Sequence, residues 1–336
     1  SVARSYCGHP WRLHYRCSSK SSSANWDTKP VKRIRGTFLR RGPTRRTSFY
    51  GADSALLSEW VTGISRVSEV TVVALEIVPD DDDPRLALPF VAMRIDGRPV
   101  RALLDSGAAR SVVVEWPGLR TFDAQTDGTG VFGLATAERR AQVTTSIGGI
   151  ELGTTEVSVV PVAHPGTGHL LGQDILSRFR CEYRLAEGVL LLDGALPDEV
   201  HQVYLDATSH VYVDVAWRTG EVASAVLDTG ASVTVVDADF AARNPGLFAQ
   251  SGQVNPGVDA SGAVQETSLV RMAAIQILGA ELEESVAAVV DLRAVNATVQ
   301  RNMDLILGWP ILSQGVFVVD HHLRVASCRS RGAPET

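Results

Sequence analysis

Residues 102–114 read ALLDSGAARSVVV, an apolar run with one carboxylate, Asp105, near its centre. Burying an isolated charge is expensive, so such a group is paired, hydrogen-bonded or held in its neutral form. A single turn whose Asp accepts from its own backbone would account for one such stretch. Residues 225–236, AVLDTGASVTVV, repeat the arrangement around Asp228.

The repetition extends outward from these two runs. GRPVRALLDSGA (97–108) aligns without a gap on GEVASAVLDTGA (220–231). Further on, SIGGIELGTTEVSVV (146–160) matches QILGAELEESVAAVV (276–290), and HLLGQDILSRF (169–179) matches LILGWPILSQG (305–315). Three landmarks in the same order mark a duplicated domain. The copies are expected at 66–194, with a core beginning at 88, and at 195–328, joined near 193–202 and followed by a tail at 329–336. Short β-like runs broken by Gly-containing turns, abundant Val and few aromatics predict an all-β chain. A short helix is expected after each Leu-Gly element, in DILSRF and PILSQG.

A hydrophobic strand ending in Asp-Ser/Thr-Gly presents its carboxylate at a tight turn. Gly lets the chain fold closely, and Ser or Thr supplies a bracing hydroxyl. Two such turns related by a pseudo-two-fold axis would set two carboxylates side by side. Like charges that close do not both ionise readily, so the pair keeps one proton. One member then serves as base toward a water while the protonated member polarises a carbonyl. That apparatus hydrolyses an amide without a metal or a covalent intermediate.

These residues resemble the aspartic protease superfamily, in its retropepsin-like branch, with two lobes fused in one polypeptide. The resemblance is carried by Asp105-Ser106-Gly107-Ala108, Asp228-Thr229-Gly230-Ala231, Leu170-Leu171-Gly172 and Ile306-Leu307-Gly308, and covers roughly residues 88–327. It implies an all-β fold of two tandem lobes with a cleft between them. In each lobe the Asp loop would be threaded by the downstream apolar strand in a ψ shape. It further implies Asp105 and Asp228 as the catalytic pair, crossed hydrogen bonds from Ser106 and Thr229, and close packing at Gly107 and Gly230. The substrate would be an extended polypeptide, with no cofactor and no metal, and a monomer would suffice because both motifs lie in one chain. Ala108 and Ala231 stand where pepsin-like enzymes carry Ser in the first lobe, which suggests a dyad working nearer neutral pH.

The resemblance also places a Gly-rich flap over the cleft. TDGTGVFGLAT (126–136) sits at the expected position in the first lobe, with Gly128, Gly130, Phe132 and Gly133 as substrate-facing candidates. GVDASGAVQET (257–267) is the second-lobe counterpart, with Ser261 and Gly262. Gly128-x-Gly130-x-x-Gly133 also fits a dinucleotide fingerprint, which requires a strand before it and a helix after it. The following AQVTTSIGGIEL reads as β, against that assignment. Two departures from the family pattern stand out. Lobe 1 keeps Gly172-Gln173-Asp174 after the threaded strand, whereas lobe 2 has Gly308-Trp309-Pro310, and no Tyr occupies the first flap. A catalytically silent peptide-binding module of the same fold is the alternative reading.

The remainder of the chain limits other functions. Of 336 residues, the first 46 hold twelve of the 32 Lys and Arg but a single acid, Asp27, leaving a net charge of −17 from residue 47 onward. The basic stretch, within an N-terminal segment of 1–65, lacks hydrophobic periodicity and is expected to be disordered; a nucleic-acid arm is its functional alternative. It lacks the apolar core of a secretory signal. A short helix is expected at 52–67, and a strand at 69–78 that pairs with 316–326 in a sheet joining the lobes. Cys7, Cys17, Cys181 and Cys328 form no CxxC pair, so neither a disulfide framework nor a zinc site is expected. His321-His322 is expected in an exposed turn. No run is long enough for a transmembrane helix.

Overall fold

The computed structural model describes residues 12–13, 70–81, 83–129, 135–161, 168–258 and 264–331. Of the basic N-terminal segment it describes only Arg12–Leu13, as a two-residue strand. The helix expected at 52–67 and the flap candidates Gly130, Phe132, Gly133, Ser261 and Gly262 lie outside the described residues.

The fold is all-β, in two tandem lobes carried by an 11-stranded and a 13-stranded sheet. In lobe 1 the strand Arg98–Leu104 runs into Asp105 and pairs in parallel with His169–Leu171. His169–Leu171 also meets Val112–Val114, antiparallel, on its other side. Lobe 2 repeats this: Val222–Leu227 lies parallel to Leu305–Leu307, which pairs antiparallel with Thr234–Asp237. The Leu-Leu-Gly and Ile-Leu-Gly strands thus thread the loops that carry the aspartates. Such central strands have neighbours on both edges, and their consecutive residues Leu170-Leu171 and Leu305-Ile306-Leu307 are all buried, so they read as short apolar runs rather than as alternating ones. Leu104, Leu171, Leu305 and Leu307 are completely buried, each contributing about 1.5–3 kcal/mol through burial.

Each threaded strand ends at a glycine for a steric reason. A Cβ on Gly172 would lie 2.6 Å from the Arg110 carbonyl carbon, and one on Gly308 would lie 2.4 Å from the Val233 oxygen. Short helices follow, Gln173–Leu176 and Trp309–Leu312, matching the expectation for DILSRF and PILSQG.

The 13-stranded sheet joins the lobes. Its consecutive strands include Val325–Ser330, Gly315–Asp320, Arg180–Arg184, Val189–Leu192 and Thr71–Pro79. The strand expected at 69–78 is therefore present in the joining sheet but does not pair directly with the late strands. Arg180–Arg184 and Val189–Leu192 intervene, because that hairpin leaves one edge for each neighbour. The last strand runs to Ser330, two residues beyond the expected end of lobe 2. His321 and His322 do form a turn between strands, yet His321 is buried rather than exposed.

Each lobe also sends a long antiparallel hairpin outward. Thr121–Thr129 pairs with Ala135–Ile147, and Phe248–Val258 pairs with Val264–Met272. Gly128 lies opposite Thr136 near the end of the first hairpin. Thr121–Thr129, although rich in polar residues, forms a strand through this pairing. The glycine fingerprint is flanked by strands on both sides, which removes the βαβ context a dinucleotide would need.

Candidate active site

Strand geometry brings the two Asp loops together from opposite lobes. Each loop is tied to its own threaded strand by matched backbone bonds: Asp105 N–H donates to Leu171 O and Asp228 N–H to Leu307 O, both at 3.0 Å. Gln173 N–H donates to Ala108 O and Trp309 N–H to Ala231 O, both at 2.8 Å.

Between lobes the hydroxyls cross over. Ser106 N–H donates to Thr229 Oγ1 at 2.9 Å, and Thr229 N–H donates to Ser106 Oγ at 3.0 Å. Ser106 Oγ in turn donates to Leu227 O at 2.9 Å, and Thr229 Oγ1 donates to Leu104 O at 2.8 Å. Each hydroxyl accepts one bond and donates one, so four buried polar groups are satisfied across the boundary. The residues Ser106 and Thr229 stand in the crossed arrangement that the family resemblance implies.

The glycines after them create the space for the carboxyls. A Cβ on Gly107 would lie 2.3 Å from the Asp228 carboxyl carbon, and a Cβ on Gly230 would lie 2.3 Å from that of Asp105. Each carboxyl therefore sits against the other lobe's loop, and the two face each other across the boundary. Asp105 and Asp228 are both buried, 0% and 1% exposed. Gly107 N–H donates to Asp105 Oδ1 at 3.0 Å and Gly230 N–H to Asp228 Oδ1 at 2.8 Å.

Burial drives the electrostatics of this pair. It pushes the Asp105 carboxyl well above the usual range, and the neighbouring Asp228 charge adds to that push. Burial raises Asp228 too, opposed by the Gly230 N–H, by its hydrogen bond with Asp105 and by the His210 charge. The pair thus retains a proton at pH values where exposed aspartates have lost theirs. Arg110, close in sequence to Asp105, forms an ion pair with Glu156 at 3.3 Å.

The lobes differ in their bracing. Asp174 Oδ1 accepts from Ser111 N–H at 2.9 Å and Ser111 Oγ at 2.7 Å, and Gly172 N–H donates to that same Ser111 hydroxyl. In lobe 2 Gly308 N–H donates to Thr234 Oγ1 at 3.2 Å, while Pro310 stands where Asp174 would be. Gln173 adds a further contact, its Nε2 donating to Ser106 O at 2.8 Å. His210 was not singled out by sequence reasoning. Its Nε2 lies 3.0 Å from Gly107 O in the opposite lobe, and its Nδ1 lies 2.9 Å from Asp206 Oδ2. Nothing in the sequence signals this contact, and the lobe 1 position equivalent to His210 is Ala87.

Among the described residues no group of His, Cys, Asp and Glu has the spacing of a metal site. Among them, too, no helix is long and apolar enough to cross a membrane. Cys181 is buried and Cys328 half-buried, and both are free thiols.

Comparison with known proteins agrees with this architecture. A family model described as retroviral aspartyl protease matches residues 86–184, and one described as aspartyl protease matches residues 213–311. The two matches fall one in each lobe and together cover more than half of the chain. Solved structures similar to this chain include conglutin gamma, a basic 7S globulin from lupine seeds, at 12% identity over 78% of this chain and 95% of that one, with a TM-score of 0.45. Another is an aspartic proteinase from Irpex lacteus, at 11% identity over 78% of this chain and 98% of that one, with a TM-score of 0.46. No curated protein matches by sequence. With an Asp-Ser/Thr-Gly loop threaded by its own strand in each half, and a matching protease family model on each, the chain belongs to the aspartyl protease superfamily as two retropepsin-like lobes fused in one polypeptide.

Proposed function

We propose that the protein is an aspartic endopeptidase that hydrolyses peptide bonds with a water activated between Asp105 and Asp228. The observation that carries this reading is the reciprocal fit of each carboxyl against the opposite lobe's glycine, which leaves two buried acids facing each other with a proton to share. In the proposed cycle Asp228 takes a proton from the water as the water oxygen attacks the scissile carbonyl carbon. Asp105 gives its proton to the carbonyl oxygen. The resulting tetrahedral diol collapses as Asp228 gives its proton to the amide nitrogen, Asp105 takes a proton back from a diol hydroxyl and the C–N bond breaks, which leaves acid, amine and the one-proton dyad. No bond to the enzyme forms at any stage.

Both aspartates belong to one chain, so a monomer completes the dyad. The substrate is an extended polypeptide, and the proposed flaps are the stretches 126–136 and 257–267. The test is incubation with a peptide library across a range of pH, with and without a statine-type inhibitor, a mimic of the tetrahedral intermediate. Internal cleavage that the inhibitor blocks is expected. Tight binding of library peptides with no cleavage at any pH would overturn the reading in favour of a silent binding module.

A further inference from the structure

The two Asp loops have nearly the same backbone but are not served alike. Two successive carbonyls of the lobe 1 loop receive side-chain partners: Ser106 O accepts from Gln173 Nε2 at 2.8 Å, and Gly107 O lies 3.0 Å from His210 Nε2. The corresponding positions for lobe 2 hold Trp309 and Ala87, and Ala87 has no side-chain donor.

His210 is itself firmly held. Its Nδ1 faces Asp206 Oδ2 at 2.9 Å and Thr208 Oγ1 at 2.9 Å. Thr208 Oγ1 already donates to Asp206 Oδ1 at 2.7 Å, so its oxygen is free to accept from the ring. The backbone N–H groups of Thr208 and His210 also donate to Asp206 Oδ1, at 2.8 and 3.0 Å. These bonds hold Asp206 down to about 2, against burial, which acts the other way. The ring is therefore oriented by a fixed anion on one side and aims its far nitrogen at one carbonyl in the opposite lobe.

That carbonyl belongs to the peptide unit whose other end is the Ala108 N–H. The Ala108 N–H donates to the Asp105 backbone oxygen at 3.4 Å and also favours the charged form of the Asp105 carboxyl, as does the Gly107 N–H, which donates to Asp105 Oδ1 at 3.0 Å. A donor on a peptide oxygen polarises the N–H of the same peptide, so successive hydrogen bonds strengthen one another. Resting on the peptidase reading, we propose that His210 is a positioning residue for Asp105: it fixes and polarises the Gly107–Ala108 peptide unit from across the lobe boundary. The effect is felt most when Asp105 becomes charged, which in the cycle happens as it gives its proton to the substrate carbonyl. An interaction that strengthens on the way to the transition state acts on kcat rather than on KM.

The test uses two variants of the full chain that divide the ring's contacts. In His210→Asn the amide reaches only as far as Nδ1, so it keeps Asp206 and loses Gly107. In His210→Gln the amide nitrogen reaches the position of Nε2 and keeps a donor on Gly107 O. With active sites counted by titration with a statine-type inhibitor, His210→Asn is expected to lose about tenfold in kcat with KM unchanged, the loss expected for one hydrogen bond to a charged network. His210→Gln is expected to restore kcat to within about threefold of the parent. A second readout needs no substrate: the carboxyl 13C resonance of Asp105, assigned by its disappearance in Asp105→Asn, should titrate at higher pH in His210→Asn and return toward the parent in His210→Gln. A folded His210→Asn with parental kcat and parental Asp105 titration overturns the proposal while leaving the peptidase reading intact. Equal damage in both variants, or a change confined to KM, also overturns it. A parent protein that cuts nothing, but whose Asp105 titration moves as described, overturns the peptidase reading and supports the role of His210.

Discussion

At Gly107 and Gly230 a single methyl group would occupy space already filled by the opposite carboxyl. Neither glycine is among those with a left-handed φ, so close approach, not backbone freedom, excludes a side chain there. Turn chemistry marks these glycines in the sequence, but the physical reason for them lies across the lobe boundary, where no local pattern reports it. Gly107→Ala and Gly230→Ala should therefore each separate the dyad. The expected outcome is loss of at least about a hundredfold in kcat/KM and about 1–3 kcal/mol of stability, as for other overpacked interiors. Steady-state kinetics and urea denaturation measure both. His210 illustrates the opposite limit of legibility. Its partner Gly107 is 103 residues away in sequence, and a single His between a turn and a strand gives no hint of that contact.

Among the elements, the two ψ-shaped loops were the most legible, because each threaded strand carries two buried apolar residues, Leu170-Leu171 and Ile306-Leu307, and then ends in Gly. The joining sheet was less so: residues 180–184 and 189–192 read as β but carry nothing that names their neighbours, and the insertion of that hairpin between Thr71–Pro79 and Gly315–Asp320 is a tertiary outcome. Loop bracing makes a prediction at this scale. Thr229→Val preserves shape but leaves Ser106 N–H and Leu104 O without their partner in a buried site. Leaving two such groups unsatisfied should cost about 2–4 kcal/mol, seen as a lower urea midpoint. Asp174→Ala should weaken lobe 1 in the same way, since Ser111 N–H and Oγ both lose their acceptor. Lobe 2, with Pro310 at that position, has no counterpart to lose. A Thr229→Val protein as stable as its parent would contradict the bracing role.

For the molecule as a whole, the same groups set the dependence of stability on pH. The folded dyad holds a proton more tightly than the unfolded chain does, so its contribution to stability is complete below the ordinary aspartate value of 3.8 and is lost as pH rises toward the raised folded value. Asp105→Asn removes that loss and should raise Tm at pH 7 by roughly 2–8 °C, an advantage that shrinks as pH falls toward 4. His321 acts in the other direction. Burial lowers it to about 4, so the unfolded chain takes up a proton first and stability falls as pH drops from 6.5 toward 4. His321→Gln should flatten that part of the curve, and calorimetry over this pH range reads both effects. Asp206, held down to about 2 with its His210 and Thr208 hydrogen bonds outweighing burial, adds a further loss below the ordinary aspartate range.

The central claim is that two facing aspartates, one from each lobe of a single chain, activate a water for peptide hydrolysis. The most direct test is the rate at which Asp105→Asn and Asp228→Asn variants, shown by circular dichroism to be folded, cleave an unstructured protein that the parent cleaves. Each substitution is expected to lower kcat by at least about 10⁴-fold, as for other residues that act as one catalytic unit. Full activity in either folded variant would contradict the account.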